Sequence, residues 1–260
     1  MRILKLPFAP FVLIVVQFAI LYSYWQVWNI APLFVPDTVG YVLFADQNYL
    51  EALSSIRTIG YPIFLATLKA LTGGYDSLAT VQFIFYALSV LTFWFVLVRS
   101  GAERWLAFAL SIPLIYNPIV QLHGHILTSD TLGLAFALFV VSAIIAACHF
   151  SKNNLIWILV AISLFASYQI RPSNLYLIVF VILFGLILWV MKRFFQKSQE
   201  AWKPAFKPFF LRLLIVSLLP FLLFSALRGV TVGHFGLVSY GGLNVIGIIA
   251  PMIDKSLISE

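Results

Sequence analysis

The sequence predicts an all-α, polytopic membrane protein with about seven transmembrane helices, and three observations predict it. First, 62% of the 260 residues are hydrophobic and only 10% are charged, whereas a soluble domain needs about 25% charged residues to cover its surface. Second, apolar runs recur near 9–30, 77–98, 105–120, 131–149, 155–170, 175–191 and 209–227, each about long enough to cross roughly 30 Å of hydrocarbon at about 1.5 Å per residue. Third, the basic residues alternate in density between successive loops, as the positive-inside rule requires. A mean hydropathy of +1.02 agrees. Disorder, a disulfide scaffold and a fibrous repeat are excluded, because Cys148 is the single cysteine and glycine totals 14.

The first run ends in Tyr22, Tyr24, Trp25 and Trp28, too long and too aromatic for a signal-peptide core, and no small-residue cleavage site follows it. It reads as a retained anchor. With the amino terminus cytoplasmic, 11 of the 16 basic residues fall inside, among them Arg99, Arg104, Lys152 and the Lys192–Lys207 group. Seven of the nine acids fall outside. The net charge of +7 thus reports topology and contact with anionic membrane lipids; nucleic acid is not an expected partner. The whole of 1–260 is expected to form one transmembrane domain, with a first outer loop at 31–76 and an outer C-terminal segment at 228–260.

That first loop is far longer than the usual connection of about 4–6 residues. From Asp37 to Ser55, apolar positions Val42, Ala45, Tyr49 and Leu53 recur at helical spacing, which predicts a helix lying in the membrane interface. A turn over Arg57–Pro62 leads to a second short helix, Ile63–Leu71, closed by Gly73–Gly74. No Asp, Glu, Lys or Arg falls near the middle of a span. The ionisable groups collect at the outer ends: Asp37 and Arg57 after the first span, His123, His125 and Asp130 before the fourth, Arg171 before the sixth, and Arg228 after the seventh. The empty midplane weighs against ion-coupled transport.

A single span followed by an outer loop opening with Pro36-Asp37-Thr38-Val39-Gly40-Tyr41, an Arg-x-x-Gly-Tyr-Pro element at Arg57–Pro62, Leu127-Thr128-Ser129-Asp130 leading into the fourth span and Ile170-Arg171-Pro172 leading into the sixth resembles the integral-membrane glycosyltransferases of the C-type fold. The protein-mannosyltransferase-like and aminoarabinose-transferase-like members are the nearest in pattern. The former pair two acids in the first loop, where this chain has Asp37 and Thr38. Members are usually much longer, so further spans or an outer domain are expected beyond Glu260.

The resemblance implies a polyprenyl-phosphate sugar donor and a lipid, glycan or protein acceptor. It also implies an active face outside a bacterial inner membrane, periplasmic or extracellular. Asp37 would be the base in an inverting attack. Arg57 and Arg171 would hold the departing phosphate, because a planar guanidinium donates two parallel hydrogen bonds and Pro172 starts a helix whose positive end faces the same group. Asp130, with His123 or His125, would orient the acceptor or help hold a divalent cation such as Mg or Mn. Tyr41, one turn after Asp37, offers a ring to the sugar, and Tyr61 and Arg228 complete the set of substrate-binding candidates. Plainer roles stay open: Asp37 and Asp130 as N-caps, Arg57 and Arg171 as anchors on lipid head groups. A transporter or flippase for a lipid-linked or small polar solute is the alternative function, and a noncatalytic scaffold a third.

Overall fold

A computed structural model of the chain describes residues 9–27, 31–45, 53, 58–195 and 206–237. Among these, the helices in chain order are α1 (Ala9–Val27), α2 (Pro36–Ala45), α3 (Gly60–Thr72), α4 (Leu78–Arg99), α5 (Arg104–Ile115), α6 (Pro118–His123), α7 (Asp130–His149) and α8 (Asn154–Ile170). A 3-10 turn (Pro172–Tyr176), α9 (Leu177–Phe195) and α10 (Phe206–Val232) follow. Four helical stretches are long and apolar enough to cross a membrane: Leu78–Arg99, Asp130–His149, Pro172–Met191 and Phe206–Val232. Three more are apolar but shorter: Ala9–Ser23, Arg104–Ile115 and Asn154–Ile170.

All seven apolar runs are therefore helical, but they are not equal. The third run, expected as one span over 105–120, breaks in two. Asn117 accepts the Ile119 amide at 2.9 Å and Pro118 stands first in α6, so a new helix is capped just after α5 ends. The 12 residues of α5 rise only about 18 Å, short of roughly 30 Å of hydrocarbon.

The first loop is also corrected in detail. The helix expected in the membrane interface begins at Pro36 and is described as far as Ala45; the rest of the expected Asp37–Ser55 helix, and Arg57, lie outside the described residues apart from Leu53. The expected turn at Arg57–Pro62 is shorter, because Gly60, Tyr61 and Pro62 already form the first turn of α3. Proline is tolerated there, since first-turn amides have no partner within the helix. Gly73 ends α3 as expected, in the left-handed conformation (φ 76°), its N–H on the Lys69 carbonyl.

Lipid gives no hydrophobic drive between helices, so close packing has to hold the bundle. α7 is its centre: 61% of its apolar window is buried, against 33% for α4 and 22% for each of the other two long stretches. Val140 and Ile144 of α7 pack with Val160 and Leu164 of α8, Val181 of α9 and Leu213 of α10. On the other flank, Ile14 and Phe18 of α1 meet Phe83, Tyr86 and Val90 of α4. Gly185 lets α9 approach its neighbours, for a Cβ there would lie 2.7 Å from Leu213 and 3.5 Å from Ile144. Outward-facing Ile158, Ile162, Leu183 and Leu222 are more than half exposed, as a lipid-facing surface requires.

Because the helices alternate in direction, the two ends of the bundle differ in chemistry. At one end Arg212 of α10 reaches the Ser151 carbonyl between α7 and α8. The opposite end carries the first loop, α6, the start of α7 and the α8–α9 junction.

Candidate functional site

At that second end the first loop is stitched to the segment before α7. The Leu33 amide donates to the His125 carbonyl at 3.0 Å, and the Leu127 amide to the Leu33 carbonyl at 3.1 Å, a short parallel bridge. Thr38, fully buried, accepts from the Val35 amide at 2.9 Å and donates to the Leu127 carbonyl at 3.2 Å. Tyr41 Oη and Ser129 Oγ pair at 3.3 Å. From beneath, buried Gln82 of α4 donates to the Gly124 carbonyl at 3.2 Å. Trp25 of α1 lies where a Cβ on Gly124 would be, 2.1 Å from its ring. α2 and the His125–Ser129 segment therefore form one shelf.

Asp130 is the first residue of α7, following the N-cap position at Ser129, and so is not itself the cap. Arg171 ends α8 in an extended conformation (φ −138°, ψ 109°) just before Pro172, which biases its predecessor away from the helical region. Its stem runs across Gly133, one turn into α7: a Cβ on Gly133 would lie 2.8 Å from Arg171 Cδ and 2.9 Å from its Cβ. Only glycine leaves that path open, and along it Nη1 forms an ion pair with Asp130 Oδ1. Nε donates to Ser173 Oγ at 2.8 Å. Buried Asn174 locks the junction by donating to the Gly133 carbonyl at 3.0 Å and to Ser167 Oγ at 2.8 Å. The Arg171 and Asp130 side chains are 35% and 27% exposed, so the pair stands at the mouth of the site.

Two tyrosines wall it. The Tyr41 and Tyr61 rings meet edge to face at 4.9 Å, with Phe64 stacked behind Tyr61. Tyr61 is fully buried and its hydroxyl has no hydrogen-bond partner among the described residues. Burial, then the Tyr41, Asp130 and Tyr75 charges, push its ionisation well above the ordinary tyrosine value, so it stays a neutral hydroxyl. Gly60 sets its depth, because α3 there presses on the backbone of Gln169 and Ile170.

The candidates divide accordingly. Tyr41, Tyr61, Asp130 and Arg171 come together, and the shelf carries His123 and His125. Burial, then His123, hold the His125 imidazole below its ordinary pKa. Asp37 is exposed on the first turn of α2, second in the helix; Thr38 does the capping work there, which corrects the N-cap reading of Asp37. Arg228, buried at the end of α10, donates from Nε to the Leu53 carbonyl at 3.0 Å and from Nη1 to the Gly236 carbonyl at 2.8 Å, tying loops together instead of joining the Arg171–Asp130 pair. Among the described residues no three His, Cys, Asp or Glu side chains converge as a metal site would need. Sequence reasoning missed Thr38, Gln82, Gly133, Ser173 and Asn174; an isolated glycine inside an otherwise bulky span was the available signal for Gly133.

Chemically, Arg171 offers five N–H donors, of which Asp130 and Ser173 take two. The remaining fork is about one-third exposed and held in one orientation, the arrangement that suits a phosphate or carboxylate. No protein-family model, no curated protein and no solved structure matches this chain.

Proposed function

We propose that the protein is a membrane glycosyltransferase that moves a sugar from a polyprenyl-phosphate donor to a lipid, glycan or protein acceptor at the outer face of a bacterial inner membrane. The observation that carries this reading is the Arg171 fork, fixed by Asp130, Ser173 and Gly133 and opening beside a tyrosine wall at one end of the bundle. In this reading all seven apolar helices cross, α5 and α6 together making the third passage, and the amino terminus is cytoplasmic, as the distribution of basic residues favours.

A phosphate at Arg171 sits at the level where a polyprenyl tail continues into lipid, with the sugar towards Tyr41 and Tyr61. The acceptor oxygen attacks the anomeric carbon opposite the phosphate. Its bond to carbon forms as the carbon–phosphate oxygen bond breaks, its proton passes to the Asp37 carboxylate, and the released phosphate carries the electron pair. Asp130 is occupied in aiming Arg171, so it is a positioning residue and Asp37 is left as base. The charge that grows on the phosphate strengthens its bonds to Arg171 in the transition state, which lowers the barrier more than it tightens ground-state binding.

The test is native mass spectrometry of the purified chain with a panel of polyprenyl-phosphate sugars, followed by transfer assays with the retained donor. Selective retention that Arg171→Ala weakens by about tenfold or more, with turnover lost in Asp37→Asn, is the expected result. Retention no better than that of phospholipid, or normal turnover in Asp37→Asn, would overturn it.

A further inference from the structure

The Arg171 guanidinium has two donor edges, Nε with Nη2 and Nη1 with Nη2. The protein uses one donor of each. Asp130 takes Nη1, and Ser173 Oγ takes Nε at 2.8 Å. Nη2, common to both edges, serves no group among the described residues. On the Nη1 edge an anion reaching Nη2 would meet the carboxylate charge of Asp130. On the Nε edge it would meet a neutral hydroxyl instead.

That hydroxyl is only partly used. A serine offers one proton and two lone pairs. One lone pair takes the Nε proton, and no acceptor among the described residues takes the proton of Ser173. The residue is exposed, yet its backbone is clamped on both sides. Pro172 fixes φ before it. After it, the Asn174 amide closes the turn on the Arg171 carbonyl at 2.9 Å, and the buried Asn174 side chain is bound to Gly133 and Ser167.

The position of Oγ decides what its proton can reach. The two N–H bonds of a guanidinium edge run parallel, so their acceptors lie side by side. Ser173 Oγ is the acceptor on Nε, and an anion oxygen on Nη2 therefore stands next to it, within reach of the hydroxyl proton. That proton cannot turn back towards Nε, which already points its own hydrogen at Oγ. An oxygen at Nη2 thus receives two donors, one charged and one neutral.

We infer that Ser173 is a phosphate-binding residue: its hydroxyl donates to the same phosphate oxygen that Arg171 Nη2 holds, so the two non-bridging oxygens of a bound phosphodiester are held unequally. This assignment rests on the reading of Arg171 as the donor-phosphate site.

The probe is farnesyl methyl phosphate, a phosphodiester with a prenyl chain and no sugar, and the two enantiomers of its phosphorothioate. Each is offered separately to the full chain in an achiral ether detergent, and retention is read by native mass spectrometry. Enantiomers partition identically into such a detergent, so any preference belongs to the protein. Wild type is expected to retain one enantiomer several-fold over the other, because sulfur is a poor acceptor for the Ser173 hydroxyl. Ser173→Ala should hold the two enantiomers alike and weaken the parent phosphate about tenfold, whereas Ser173→Thr should keep the preference. A serine that only aims Nε would change both enantiomers together. The preference is a ratio within one variant, so partial misfolding does not alter it. Equal retention of the enantiomers by wild type, or an undiminished preference in Ser173→Ala, overturns the assignment. If the parent phosphate is still lost in Arg171→Ala, the donor-phosphate reading survives that failure. Retention of the parent phosphate no better than that of uncharged farnesyl methyl ether overturns both.

Discussion

Replacing Gly60 with alanine should loosen the site from beneath, and the effect can be worked from contact distances. The new Cβ would lie 2.5 Å from the Gln169 carbonyl carbon, 2.6 Å from its oxygen and 2.8 Å from the Ile170 nitrogen. All three are backbone atoms of a packed helix, so no side chain can turn aside, and α3 and α8 must part by most of an ångström to restore ordinary contact. Overpacking of this kind costs roughly 1–3 kcal/mol. Alanine's helical advantage over glycine returns at most about 1 kcal/mol, leaving a net loss of about 1–2 kcal/mol. Gly74→Ala is the control, since nothing lies within 4 Å of a Cβ there and the expected change is within about 0.5 kcal/mol. Cys148, the single cysteine and 2% exposed, reports opening of the bundle through a thiol-reactive dye during heating. Amide exchange over 60–72 reports α3 itself. Gly60→Ala should melt earlier and exchange faster than both wild type and Gly74→Ala. Identical curves for all three would refute the close contact between α3 and α8.

Other consequences are open to the same instruments. Thr38→Val removes the hydroxyl that serves the Val35 amide and the Leu127 carbonyl, and should weaken the shelf by about 1–3 kcal/mol; amide exchange should rise over 33–41 and 125–130, and unchanged protection would count against the shelf. Asp130→Asn should shift the Cys148 melt by less than about 1 kcal/mol, because both partners are partly exposed and the pair is screened. A loss near that of a buried pair would contradict this. Burial favours the neutral His125 imidazole, so its contribution is intact above the unfolded value of about 6.5 and fades as pH falls through the lower folded value. Melting between pH 7 and 5 should therefore decline more steeply in wild type than in His125→Gln; parallel profiles would remove His125 from the account.

How much could be read from the sequence follows from the range of each interaction. Helicity of all seven apolar runs, the short α3 with its Gly73 stop and the start at Pro172 are local matters, set by hydropathy, turn chemistry and proline. The gathering of ionisable groups at one end follows from parity, because alternate helix ends face the same side. Partnerships were not legible. Thr38 looked like the neighbour of a candidate acid until Leu127, 89 positions away, supplied its acceptor. Asp130 and Arg171 were separate candidates, and nothing local announces that Gly133 makes room for one to reach the other. Asp37 drew the cap assignment from residue type, whereas the helix start at Pro36 places it one step too far in.

The break that shortens α5 also turns the chain towards the site. Irregular backbone is tolerated near a membrane only where its polar groups find partners in the protein or meet water. This chain places three irregular stretches, 31–35, 124–129 and the residues around Arg171, at one end. The first two satisfy each other through the Leu33 bridge and Thr38, with Gln82 reaching from α4 to take the Gly124 carbonyl. The third is closed by Asn174 on Gly133. The Asn117-Pro118 break ends α5 and starts α6, whose last residue, His123, leads directly into the 124–129 stretch that Leu33, Thr38 and Tyr41 hold.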